Sequence, residues 1–279
     1  MRRLLFASDL DNTLLFSHRH ARSGDICVER LEGREQGFMT PWVWETLGRL
    51  PEGVRLLPVT TRSIEQYRRI RWPEGHAPEY AVTTNGGIFL GPKGLDPAWL
   101  AASRALVEAW QEELARMYAW LPERPWCLRR KMVDGLYLFA VCPEETDMKA
   151  AAAECRRTAA LAAEPSGRKL YLLPPGLDKG TAVEKACGFF DADVLICAGD
   201  SSLDLPMLRL ADLALVPDMA LGGQLAALSC APAEQREIRV CPQGVRFSEF
   251  VLTQVLKAAE ALLNHSEYTR NGVDGGRGN

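Results

Sequence analysis

Apolar residues along this chain fall into short runs that end on polar, chemically active side chains. Leu4-Leu5-Phe6-Ala7-Ser8 runs straight into Asp9-Leu10-Asp11-Asn12-Thr13, and residues 2–8 read as a buried strand. Val54 to Thr60 is the next apolar run, weakened slightly as a strand by Pro58. It closes on Thr60-Thr61-Arg62. Residues 81–87 (AVTTNGG) form a third short strand with a polar turn, residues 193–200 (DVLICAGD) a further one ending in Gly-Asp, and LALVP a last one. Helical segments separate them. Pro41 suits the first turn of one helix, a second starts near Ser63 and a third at Thr181, and residues 247–263 make a good amphipathic helix. Before the Pro41 helix, DICVERLEG-REQGFMT predicts a hairpin turning near Glu32-Gly33.

The strand–helix alternation stops between residues 86 and 175. Trp99, Leu106, Trp110, Leu114, Met117 and Leu121 recur at helical spacing, predicting one long amphipathic helix from Asp96 to Leu121. WCLRRKM and GLYLFAV read as two strands around a Val133-Asp134-Gly135 turn. An alanine-rich helix over 144–163 and a strand over 168–173 follow. Helix, two strands, helix, strand is a small α+β layer. The chain is therefore predicted to be α/β: a Rossmann-like parallel-sheet core from residues 1–85 and 176–265, an inserted α+β layer at 86–175, and a disordered glycine-rich tail at 266–279.

Composition adds mainly exclusions. With 279 residues, 47% apolar and 25% charged, the chain is ordinary for a soluble globular protein. A net charge of −3, with both signs dispersed, points to neither nucleic acid nor a membrane surface. The eight cysteines show no CxxC pair and no zinc spacing, which predicts reduced thiols in a cytoplasmic protein. Too few apolar residues precede Asp9 for a signal peptide, and no run has transmembrane length.

The chemistry lies at the strand ends. In open α/β sheets, ligands bind beyond the carboxyl ends of the strands. Asp9 and Asp11 offer one carboxylate to attack phosphorus and another to move protons, and together they can hold a hard divalent cation. Thr60, Thr61 and Arg62 supply hydroxyls and a guanidinium, both natural phosphate ligands. Lys179 stands at a helix entrance, where its ammonium can offset a carboxylate or phosphate. Gly199-Asp200-Ser201-Ser202-Leu203-Asp204 adds two carboxylates four residues apart. Taken singly, each has a plainer reading: an Asx turn or cap at Asp9 and Asp11, a turn hydroxyl at Thr60, a solvated lysine at 179, a helix cap at Asp204.

In order, DLDNT (9–13), Thr60, Lys179 and GDSSLD (199–204) resemble the four motifs of the haloacid dehalogenase (HAD) superfamily of phosphohydrolases. An insert between the second and third motifs marks a type II cap in that superfamily, and its content is similar to the Cof-like and sucrose-phosphate-phosphatase-like subgroup. TTNGG (83–87) and GVRFSEFV resemble further features of that subgroup. The resemblance implies a phosphatase acting on a small phosphorylated metabolite, such as a sugar phosphate. Asp9 would become an aspartyl-phosphate, Asp11 would be the general acid and base, Thr60 would bind phosphoryl oxygens and Lys179 would offset charge. Mg²⁺ would be held by the Asp9 carboxylate, the Asp11 carbonyl and Asp200, with Asp204 supporting either the metal shell or Lys179. Two positions depart from the pattern: Leu203 stands where many relatives carry Asn, and Asn12 where Cof-like proteins carry Gly.

Expected substrate contacts are Thr61, Arg62, Asn85, Gly86 and Ser201, with Arg129 and Lys131 on one face of a cap strand. A second anionic group on the substrate would explain that basic face, and a solvated face would explain it equally. The bases of Ser17–Arg22 (Ser-His-Arg-His-Ala-Arg) either line the entrance or form an exposed loop. A phosphomutase or other phosphotransferase with the same intermediate, and a non-catalytic phosphometabolite-binding protein, are the alternatives.

Overall fold

A computed structural model describes residues 3–228 and 237–271, with the side chains of the last helix up to residue 263. Five parallel strands form the core sheet, in the spatial order Glu237–Val240, Leu213–Val216, Val194–Ala198, Leu4–Ser8, Val54–Pro58. All five residues of Leu4–Ser8 are buried, as a strand covered on both faces requires. Leu4 and Phe6 pack on one side, and Leu5 and Ala7 on the other against Leu57, Val183 and Ala186.

Register explains why distant motifs meet. Ser8 lies opposite both Ala198 and Pro58, so three strands finish at one level. Asp9, Gly199 and Val59 are the next residues of each. The chain passes from Leu4–Ser8 to a neighbour on one side and later returns on the other. The crevice between Leu4–Ser8 and Val194–Ala198 is therefore a topological switch point, the usual ligand position in such sheets.

The predicted hairpin forms from Ile26–Leu31 and Arg34–Met39, with Glu32 (φ 51°) and Gly33 (φ 77°) taking its turn. Thr40 caps the Pro41–Leu47 helix through the Val43 N–H, and Ser63 with Gln66 forms a capping box on Ile64–Arg68. Ala81–Thr83 touches the core sheet through a parallel bridge from Val82 to Val59, and pairs onward with Ile88–Gly91. The short Glu237–Val240 strand and the Met219–Ala227 helix carry no sequence signal noted above.

Over the core lies a four-stranded antiparallel sheet, ordered Ala162–Ser166, Lys169–Leu173, Tyr137–Val141, Arg129–Val133. Its turn at Asp134 (φ 48°) and Gly135 (φ 74°) is the one expected. Two expectations need correction. The long helix is two, Pro97–Glu108 and Gln111–Trp120, because the backbone leaves helical geometry at Trp110 (φ −111°, ψ 0°). The alanine-rich helix covers only Met148–Thr158, and Ala162–Ser166 is a strand. Alanine favours helix intrinsically, but pairing with Lys169–Leu173 through Gly167 overrides that preference. Pro165, lacking an N–H, is accepted because this strand is at the sheet edge.

The last helix runs from Phe247 to Asn271, and the rest of the glycine-rich tail lies outside the described residues. None of the seven described cysteines forms a disulfide, and Cys230 lies outside the described residues. No helix among the described residues is long and apolar enough to cross a membrane.

Candidate active site

The centre of the site is a buried lysine between two carboxylates. Lys179 is 1% exposed, and its Nζ donates to Asp9 Oδ1 and Asp204 Oδ1, each at 2.5 Å. It begins the Lys179–Phe190 helix, whose start is fixed by the Asp178 carboxylate accepting from the Thr181 N–H. A Cβ at Gly180 would collide with the Pro206 carbonyl, so glycine lets this helix end press into the site. Asp9 follows directly on the central strand and donates its N–H to the Ala198 carbonyl at 2.9 Å.

Asp204 is fully buried and its acceptor capacity is heavily used. Oδ1 takes Lys179, while Oδ2 accepts from the Asp200 N–H, the Ser201 N–H and the Ser201 hydroxyl at 2.9–3.1 Å. It ties the GDSSLD turn to the lysine. Gly199 makes this possible, because a Cβ there would overlap the Asp204 side chain. Gly199→Ala is expected to cost about 1–3 kcal/mol by overpacking and to displace Asp204. Urea unfolding beside an activity assay checks this, and wild-type values in both would contradict it.

Asp9, Asp200 and Asp204 each offer a carboxylate oxygen, all within 4.8 Å of one another. Burial pushes the Asp9 carboxyl well above its usual range. Lys179 opposes that shift, and Asp204 and Asp200 add to it. Burial and Asp204 push the Asp200 carboxyl up to about 7, with the Asn12 amide acting in the opposite sense. So much buried negative charge, in an all-oxygen donor set, fits a hard divalent cation. Asp9, Asp200 and the adjacent Asp11 carbonyl suit the ligand role. Asp204 is already spent on the turn and on Lys179.

Asp11 is held elsewhere. Arg62 grips its carboxylate with both prongs, Nη2 to Oδ1 at 2.7 Å and Nε to Oδ2 at 2.8 Å. The third nitrogen, Nη1, donates to Glu29 Oε2 at 2.8 Å, and Arg69 Nε reaches Glu29 Oε1 at 3.1 Å. Glu29 is 4% exposed, on the hairpin strand. Burial would raise the Asp11 carboxyl, but Arg62, helped by Lys169 and Lys179, holds it below its usual value. The expectation that Arg62 binds phosphate is thus corrected: its guanidinium is spent on Asp11 and Glu29.

A cavity of about 430 Å³ separates this floor from the overlying sheet. Asp9, Asp11, Lys179, Asp200 and Ser201 line it from the core, with Thr61 and Leu203 beside them. Arg129 lines it from above, and Arg19 and His20 close one side. Besides Arg62 and Asp204, four expected residues are not in its lining. Thr60 is buried, its hydroxyl accepting the Arg62 N–H at 3.2 Å. Asn85 (φ 54°) turns its amide to the Leu177 carbonyl at 2.9 Å, and the Gly86 carbonyl accepts from Trp99 Nε1, so both residues secure the crossing between core and insert. Lys131 shares a strand face with Arg129 but lies farther along it. A separate cavity of about 400 Å³, around Arg55, Tyr80 and Phe190, opens at the amino ends of the strands, away from the carboxylates.

Sequence reasoning missed four contributors. Asn12 (φ 59°) donates its amide to Asp200 Oδ2 at 3.1 Å. Glu29 anchors Arg62. Arg168 and Lys169 line the cavity from the Lys169–Leu173 strand and the turn before it. Ser166-Gly167 ahead of a basic pair was a readable hairpin signal for the last two. Nothing local marked Glu29 as buried.

No family model and no curated protein matches the sequence. Solved structures do match. The sucrose-phosphatase of Synechocystis sp., in complex with sucrose and phosphate, is similar at 18% identity and a TM-score of 0.62, covering 94% of this chain and 98% of that one. A Thermoplasma acidophilum protein matches at 16% identity and a TM-score of 0.57, covering 93% and 99%. The C-terminal domain of C. albicans trehalose-6-phosphate phosphatase matches at 13% identity and a TM-score of 0.55, covering 90% of each chain. These likenesses run nearly end to end, and the chain has the fold of these proteins: a parallel-sheet α/β core carrying an inserted α+β layer.

Proposed function

We propose that this protein is a Mg²⁺-dependent phosphatase that hydrolyses a small phosphorylated metabolite in the cytoplasm through an aspartyl-phosphate on Asp9. The observation that carries the reading is Lys179 clamped between Asp9 and Asp204 at the floor of a lidded cavity. It leaves a carboxylate at the end of the central strand with one oxygen fixed and the other available to attack. The fold likeness to a sucrose-phosphatase holding sucrose and phosphate agrees with a small phosphorylated substrate, as does the motif order. The insert, residues 86–175, acts as the cap that encloses it.

In the first half-reaction Asp9 attacks phosphorus, the bond from phosphorus to the leaving oxygen breaks, and Asp11 protonates that oxygen. In the second, Asp11 takes a proton from water, the resulting hydroxide attacks the phosphoryl group, and the Asp9 carboxylate is released with inorganic phosphate. Arg62 keeps Asp11 ionised, which suits the second step. The arriving phosphoryl dianion raises the Asp11 carboxyl by like-charge repulsion, which favours the protonated form needed first. Lys179 offsets the repulsion between Asp9 and the phosphoryl group. A bound Mg²⁺ would supply further positive charge at the phosphoryl oxygens, and Asp9, Asp200 and the Asp11 carbonyl would hold it.

The test is phosphate release from p-nitrophenyl phosphate with Mg²⁺, lost on adding chelator. Absence of turnover across a broad phosphate-ester panel would sink the reading. Stability provides an independent measurement. An Asp200 carboxyl raised from 3.8 to about 7 contributes stability that is full below about pH 4 and lost as pH rises through 7. The chelated protein should therefore lose stability across that window, and Mg²⁺ should restore it, by about 2.7 kcal/mol at a hundredfold excess over Kd. Asp200→Asn should abolish that metal-dependent gain in thermal unfolding.

A further inference from the structure

The lid over the carboxylate floor is strongly basic. Strand register places Val141 opposite both Arg129 and Lys169, and Lys169 opposite Ser166. All four line the cavity, so they form one row across the lid sheet, facing the floor. The two cations are two strands apart, roughly 10 Å. The opposite face of the sheet carries Leu138, Ala140, Leu170 and Leu172, all fully buried. Arg130, next to Arg129, turns to that side and stacks over Tyr118 at 4.1 Å.

Arg168 joins the row at the turn, its Nε donating to the Cys142 carbonyl at 3.0 Å, and Arg19 approaches from the loop after Asp11. Among the described residues none of Arg19, Arg129, Arg168 and Lys169 forms an ion pair with a carboxylate. The acids of the cavity, Asp9, Asp11 and Asp200, all lie on the floor. Asp11 has Arg62, and Asp9 has Lys179. A phosphoryl group undergoing transfer must sit against Asp9 on that floor. The lid cations therefore face the part of the substrate that departs.

We propose that the substrate is a phosphate monoester whose alcohol portion carries a second anionic group, a carboxylate or a second phosphate, held by Arg129, Arg168 and Lys169. This deepens the phosphatase reading and rests on it. A neutral sugar would leave this row, in which Arg129 and Lys169 are exposed and no carboxylate of the described residues pairs with any of the cations, to solvent alone. An anionic leaving portion satisfies it with charge-assisted hydrogen bonds.

Two matched pairs of probes test this. 3-Phosphoglycerate and glycerol 3-phosphate differ by a carboxylate against a hydroxymethyl. Fructose 1,6-bisphosphate and fructose 6-phosphate differ by a second phosphate. The partner with the second anionic group should, in at least one pair, show a kcat/KM higher by about tenfold to a hundredfold, the range expected of a charge-assisted contact, and which pair responds identifies the group. Lys169→Ala and Arg129→Ala should collapse that ratio towards one, mainly through KM. Ratios near one in the wild type, or ratios unchanged in both variants, overturn the proposal. Calorimetric binding of the same four compounds to the Asp9→Asn protein reads the anion subsite without turnover. If p-nitrophenyl phosphate and all four esters go unhydrolysed, the phosphatase reading fails, and a preference for the partners with the second anionic group in the binding arm still decides the subsite.

Discussion

Asp9→Asn is expected to lower turnover of p-nitrophenyl phosphate by roughly 10⁴-fold or more, on the scale seen when a covalent nucleophile is removed elsewhere. The substitution is nearly isosteric, so the central strand and the Asp9 N–H bond to Ala198 are kept. What changes is the group presented to phosphorus. A carboxylate oxygen attacks, whereas an amide has neither the charge nor the basicity. The variant should also fold well. Burial raises the Asp9 carboxyl and Lys179 only partly offsets that shift, so a neutral side chain removes a desolvation cost and a buried like-charge contact with Asp204. Steady-state kinetics and chelated urea unfolding on one preparation separate the two effects. Activity within tenfold of wild type would assign the nucleophile elsewhere, and a phospho-adduct mapped to Asp9 in the wild-type protein would secure it.

The readability of this site in the sequence follows from parallel-sheet geometry. Short apolar runs that stop abruptly at Asp9, Thr60 and Gly199 mark strand ends, and a parallel register brings such ends level without any long-range signal in the residues. Lys179 was legible for a related reason: a helix entering the same end of the sheet points its first residue at the crevice. Arg62 shows where the reading stops. A guanidinium two residues past a strand end can serve a bound phosphate or the nearest carboxylate. The choice depends on Asp11, 51 residues away, and on Glu29, whose burial arises only when the hairpin docks. Thr60 and Thr61 are a similar case, since the turn that follows the strand decides which hydroxyl reaches the cavity. In the lid, Ala162–Ser166 was hidden because its alanines favour helix while its pairing partner imposes strand. With that strand unseen, the Gly167 turn and the cations beside it had no assigned direction.

Lys179→Met is expected to destabilise the chelated protein by about 3–5 kcal/mol, the cost of stripping one partner from a buried ion pair. The volume is nearly conserved, so the loss would be electrostatic rather than a cavity. Side chains of Lys179, Asp9 and Asp204 are 2%, 7% and 0% exposed, which leaves the two carboxylates little recourse to water. One of them must take up a proton or the turn carrying Asp204 must open. Asp204 cannot retreat cheaply, because its other oxygen holds the Asp200 and Ser201 N–H groups. Adding Asp204→Asn to Lys179→Met should therefore recover much of the loss, since the amide oxygen can still serve the turn while the second charge is gone. Recovery in the double variant, measured by urea unfolding in chelator, would show that the lysine is retained to let two acids share a dry floor. If Lys179→Met alone were as stable as wild type, the buried pair would be energetically idle. The clamp would then have to be understood through its effect on Asp9 reactivity alone.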